Sequence, residues 1–166
     1  ALFMGSWHGP NIDAVRHIAD IARQCPEVEF LLMGSVCQAP VGELPANCHR
    51  LGMVSEAEKR RWLAVANCAL NPITTGAGSN LKLVEYAAAG LPIVTTTFGN
   101  RGIGLVEDME CLAASVDACP EALQRLQGMG IDALVGMTQA ARQRTERDYD
   151  WAGIARHVAE KLQPVA

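Results

Sequence analysis

Residues Asn71 to Thr97 read N-P-I-T-T-G-A-G-S-N-L-K-L-V-E-Y-A-A-A-G-L-P-I-V-T-T-T. This stretch decides the fold. The residues leading into it, Cys68 to Pro72, are a short apolar run of strand length. A glycine-rich turn follows from Ile73 to Ser79, and the spacing then predicts a helix from about Asn80 to Ala89. Gly90 suits the left-handed residue that ends a helix. Pro92 to Thr96 is a second strand-length run. A strand, a helix and a strand, with both strands apolar enough to be covered on two faces, is the unit of a parallel sheet.

The same alternation extends outward in both directions. Upstream, Ala1 to Met4 and Phe30 to Met33 are apolar runs, each closed by Gly-Ser, and Cys48 to Leu51 is a weaker third strand closed by Gly52. Between the first two, Pro10-Asn11 opens a helix. Its residues Ile12, Val15, Ile18, Ala19 and Ala22 share one face, with Asp13, Arg16, Asp20 and Arg23 opposite. Val36 to Asn47 holds Pro40, Gly42 and Pro45 and reads as loop. Ser55-Glu56-Ala57-Glu58 matches a capping box and starts a helix running to about Ala66. Downstream, Cys111 to Ala114 is a sixth strand and two or three helices close the chain. Trp62 and Trp151 fall at helical spacing and read as core. The expected fold is α/β: a doubly wound, mainly parallel six-stranded sheet with helices on both faces. Such sheets bind ligands where loops leave the carboxyl ends of their strands.

Composition narrows the functions. With 166 residues the chain suits one domain. Its 18 acidic against 14 basic residues give a net charge of −4, which argues against nucleic acid as a partner. No apolar run reaches the roughly 18 residues that span a bilayer. No secretory signal is visible at the start, and Ala1 already lies in an apolar run, as in a piece of a longer protein. The six cysteines form no C-x-x-C pair and lack zinc-finger histidine spacing, so free thiols in a reducing compartment are expected.

Chemistry concentrates in the glycine-rich turn. Gly76 and Gly78 let a ligand approach the backbone. The N–H groups of Gly78, Ser79, Asn80 and Leu81 are expected to point outward from a helix start, which suits a phosphate. Lys82 is a cation where the helix dipole disfavours one, a placement that a bound anion would offset. Glu85, on the same side, could accept two hydrogen bonds from a ribose diol. On these residues alone a second reading stands beside it: a glycine-rich turn with an inert Lys82–Glu85 surface pair.

The stretch resembles the donor-binding half of retaining glycosyltransferases of the GT-B type, family 4. Many members carry N-P-x-x-x-G-x-G-[ST]-N-L-K-x-x-[DE]-Y-x-A-A-G-x-P-[VI]-[VI]-[ST]-T. Gly99-Asn100-Arg101-Gly102 matches the G-x-R-G that often follows. Phe3 to Ser6 with Pro10-Asn11 and Ala14, Leu51 to Ser55, and Tyr149, Trp151 and Ile154 extend the likeness over nearly the whole chain. The resemblance implies a cytoplasmic hexosyl transferase of the kind found in polysaccharide biosynthesis, with a nucleotide-sugar donor as substrate and neither cofactor nor metal. The whole of residues 1–166 would be the nucleotide-sugar-binding domain. An N-terminal acceptor domain of the same protein would be its partner, without which the chain turns over little or nothing. Peripheral membrane association of the whole enzyme is compatible with this.

Lys82 and Glu85 are the expected catalytic pair. By position, the resemblance gives the ribose to Glu85, the diphosphate to Gly5 and to Gly78, Ser79, Asn80 and Leu81, and the nucleobase to the backbone of Val54; His8, Gly76 and Lys82 are expected beside them at the diphosphate. Two departures stand out. The first Glu of the family's E-x7-E falls at Ala77, and the family's basic pair after the first strand is not evident, leaving His8 and Lys82 as diphosphate cations. Arg101 is a further candidate to face the cleft. In the family the last helix often packs on the partner half. Its face of Trp151, Ile154, Val158 and Leu162 should therefore cover this domain's own surface or pair with another copy. Rival readings are half of a GT-B-like sugar-nucleotide epimerase and a non-catalytic Rossmann-like nucleotide-binding module. The second lacks its G-x-G-x-x-G fingerprint, since Gly5-Ser6-Trp7-His8-Gly9 follows the first strand.

Overall fold

A computed structural model describes residues 1–161 of the chain, apart from the side chains of Arg156 and His157. Six parallel strands form one sheet: β1 (Leu2–Met4), β2 (Phe30–Met33), β3 (Cys48–Gly52), β4 (Ala69–Asn71), β5 (Ile93–Thr95) and β6 (Leu112–Ala113). Their order is β3-β2-β1-β4-β5-β6. The chain winds outward from β1 to β3, returns to the other side of β1, and winds outward again. The direction reverses between β1 and β4, and the loops leaving those two strands part to form a crevice. The doubly wound parallel sheet expected from the alternating runs is the one observed.

Strand alternation sends side chains into two cores. Phe3, Leu70 and Val94 point to one face, packed with α1 (Gly9–Gln24) and α5 (Cys119–Gly128). Leu2, Met4, Ala69 and Ile93 point to the other, packed with α3 (Lys82–Ala88) and α6 (Ile131–Tyr149). Leu63 of α2 (Glu56–Val65) joins the second core, and Trp62 packs partly buried against it. The capping box at Ser55 forms in full, with Glu58 reaching back to the Ser55 amide. Tyr86 of α3 is fully buried, and its hydroxyl accepts a 2.7 Å hydrogen bond from the Met4 amide. That bond ties α3 to the exit of β1. All six cysteines are free, and five are buried. Burial pushes the Cys111 and Cys119 thiols up to about 12, which keeps them protonated and inert at neutral pH.

Two local expectations are corrected. α3 starts at Lys82, two residues later than expected, because residues 76–81 are held in a turn rather than wound into the helix. Thr97 to Asn100, leaving β5, is a helical turn (α4) capped by the Thr96 hydroxyl. Trp151, expected in the core, is 84% exposed. It opens α7 (Trp151–Lys161), which follows a break at Asp150. Val158 is also exposed, and Leu162 lies outside the described residues. Of that apolar face Ile154 is partly buried, so its described part covers little of the domain's own surface.

Candidate functional site

The crevice between the β1 and β4 exits has two lobes that share Asn11 and Lys82. The larger, about 380 Å³, is lined by Gly5, Gly34, Val54, Lys59, Lys82 and Glu85 among others. The smaller, about 200 Å³, is lined by His8, Gly76, Ala77, Ser79, Asn80, Leu81, Lys82 and Arg101 among others. Candidate residues far apart in sequence, from Gly5 to Glu85, thus converge on one crevice. Gly78 lines neither lobe; its carbonyl faces Arg101 instead.

Lys82 stands at the seam. Its Nζ donates to Asn11 Oδ1 at 2.7 Å and lies 4.1 Å from the centroid of the Phe3 ring. Both partners are neutral, and among the described residues Lys82 forms no ion pair. Burial without a counter-charge pushes its ammonium down to about 7 from the ordinary 10.5. A lysine so placed gains most from an anion brought to it. Sequence reasoning misses Asn11, whose position just inside α1 carries no separate signal.

Glu85 does not pair with Lys82. Its Oε2 accepts from Lys59 Nζ at 2.9 Å, and the same ammonium lies 3.1 Å from Glu56 Oε1. The surface pair that spacing allowed is absent because Lys82 folds back toward α1 while Glu85 meets α2. Lys59, held by the carboxylates of Glu56 and Glu85, keeps its proton above the usual lysine range. Nothing in the sequence around Lys59 points to this contact. Met53, 70% exposed, and the partly buried Val54 line the larger lobe together with Glu85.

Glycine is required where backbones crowd. Gly34, leaving β2, has φ +102°, and a Cβ there would collide with the Gly5 carbonyl oxygen. Gly76 has φ +112°, and its Cβ would fall 2.7 Å from Pro10 of α1. Among the described residues, the amides of Gly78, Ser79 and Asn80 donate to no protein acceptor, whereas Leu81 donates to Ser79 O. Three of the four amides expected to be free are therefore free. His8 is exposed at the start of α1 and its carbonyl accepts from Asn11 and Ile12, so it enters the smaller lobe as a rim residue. The hydroxyls of Thr95 and Thr96 are buried and donate to backbone carbonyls. Among the described residues no three His, Cys, Asp or Glu side chains gather as a metal site, and no helix is long and apolar enough to cross a membrane.

A family model, glycosyl transferases group 1, matches residues 1–128. Three solved structures are similar in fold. A glycosyltransferase from Rickettsia africae aligns with a TM-score of 0.79 at 13% identity, over 96% of this chain and 46% of its own. HepE of Anabaena in complex with UDP and glucose aligns at 0.75 and 16% identity, over 99% of this chain and 48% of its own. Sucrose-phosphate synthase from Thermosynechococcus elongatus aligns at 0.75 and 17% identity, over 96% and 44%. The chain spans less than half the length of each. No curated protein matches the chain.

Proposed function

The chain belongs to the glycosyl transferases group 1 family, and on that premise we propose that it binds a nucleoside-diphosphate sugar and serves in transfer of the glycosyl group with retention at the anomeric carbon. The acceptor half would be an N-terminal domain preceding it, in keeping with the half-length coverage of its structural neighbours. Alone, the chain would bind donor and turn over little. The observation that carries the reading is Lys82: a partly buried ammonium without a counter-ion, at the seam of two lobes. The diphosphate would lie against Lys82, Gly5 and the free amides of the glycine-rich turn. Glu85 would exchange Lys59 for the ribose hydroxyls, and the backbone of Val54 would meet the base. The sugar would extend into the smaller lobe, where Ala77 offers no carboxylate. A structural neighbour, HepE, holds UDP and glucose, which supports a hexosyl donor.

The chemical task of such a site is to stabilise the leaving group. As the glycosidic bond breaks, the diphosphate gains negative charge. An ammonium and amides already aimed at it then strengthen most in the transition state, and little reorganisation is needed. Calorimetric titration with UDP, GDP and ADP tests the reading. One of the three should bind, and Glu85→Ala and Lys82→Ala should each weaken it by about 1.5–3 kcal/mol. Failure of all three to bind refutes it.

A further inference from the structure

We infer that Arg101 is a positioning residue that sets the shape of the diphosphate-binding turn; this rests on the donor reading above. Its Nη2 donates to Gly76 O at 2.7 Å and to Gly78 O at 3.1 Å. Both acceptors belong to glycines with φ above +70°, positions where the backbone has little conformational preference of its own. Their orientation is therefore imposed from outside. In a trans peptide the N–H of the next residue points opposite to the carbonyl. Turning the Gly76 and Gly78 carbonyls onto Arg101 thus turns the Ala77 and Ser79 amides away from it. Both residues line the smaller lobe, and the Ser79 amide is among those left without a protein acceptor.

Arg101 is itself braced. Its guanidinium lies 3.7 Å from the centroid of the Phe98 ring, which packs on the first core. Beside it, Asn80 Nδ2 donates to Gly99 O at 2.8 Å. Gly102 leaves room for Ser79, whose Oγ would collide with a Cβ there. The Tyr149 hydroxyl, at the end of α6, donates to Gly102 O at 3.0 Å. A lysine could keep the charge at position 101 but could not reproduce a planar donor that reaches two carbonyls while stacked on a ring.

The test compares Arg101→Ala and Arg101→Lys with the unaltered chain. Backbone ¹⁵N order parameters of residues 76–80 should fall from about 0.85 to below about 0.6 in both variants, with those of β1 and β4 unchanged. Affinity for UDP should fall at least about tenfold, while uridine, measured by ligand-observed NMR, should bind as before. ADP with adenosine and GDP with guanosine serve as parallel pairs. Three results overturn the inference: unchanged order in Arg101→Ala, wild-type diphosphate affinity in Arg101→Lys, or an equal loss for nucleoside and diphosphate. If the unaltered chain binds none of the three diphosphates, the donor reading fails, and the order parameters still decide the clasp.

Discussion

Replacing Lys82 by methionine should make the empty domain more stable. Burial lowers the Lys82 ammonium to about 7, against 10.5 for a solvated lysine. Between those values the unfolded chain holds a proton that the folded chain has released. The folded state is therefore penalised in full below about pH 7, and the penalty fades as pH rises toward 10.5. The gap corresponds to about 4–5 kcal/mol, which water reaching the partly buried side chain screens to about 1–3 kcal/mol. Methionine matches the lysine stem and can pack along Phe3, but it leaves Asn11 Oδ1 without its donor, a loss of about 1 kcal/mol. The net gain, up to about 2 kcal/mol, should raise Tm by up to about 8 °C in a domain of this size. Urea unfolding of both proteins at pH 6 and pH 9.5 is the assay. Lys82→Met should lead at pH 6, and the gap should narrow at pH 9.5. A variant less stable than the parent at pH 6, or a gap independent of pH, would refute the claim that Lys82 is an uncompensated ammonium.

The same lysine predicts how binding responds to pH. A bound diphosphate needs the charged form, so affinity for whichever of UDP, GDP and ADP binds should fall roughly tenfold from pH 6 to pH 8, and Lys82→Met should abolish that slope. Glu85→Ala should cost about 1.5–3 kcal/mol for a ribonucleotide and much less for its 2′-deoxy analogue, because the deoxy ligand lacks one hydroxyl that the carboxylate would accept from. Gly34→Ala should destabilise the fold by about 2–4 kcal/mol in urea unfolding, since its Cβ would collide with the Gly5 carbonyl at a left-handed φ.

The fold is legible in the sequence because its determinants are local. The strands β1, β2, β4 and β5 are apolar runs with a glycine or proline beside them, and the face of α1 is written at a 3.6-residue period within one segment. Glycines at the strand exits mark the crevice before any contact is known. Boundaries are less legible where tertiary contacts override the local signal. Asn80 reads as helix from its neighbours, yet its side chain is spent on Gly99 and α3 begins only at Lys82. Trp151 illustrates the converse. An amphipathic face says that a surface will be covered, but not by what, and in α7 Trp151 and Val158 stay exposed.

The site divides along the same line. Residues that act through the backbone, the free amides after Gly76 and the glycines themselves, are readable from a motif because a motif specifies backbone shape. The partners that tune the side chains are not. Lys82 meets Asn11 and Glu85 meets Lys59, each across a separate helix. Spacing puts Lys82 and Glu85 together on one helix and suggests that their charges cancel. The fold sends them to different neighbours, one neutral and one cationic. That separation leaves an ammonium without an anion and a carboxylate with an exchangeable partner, the two unequal charges that a nucleoside diphosphate carries the groups to satisfy.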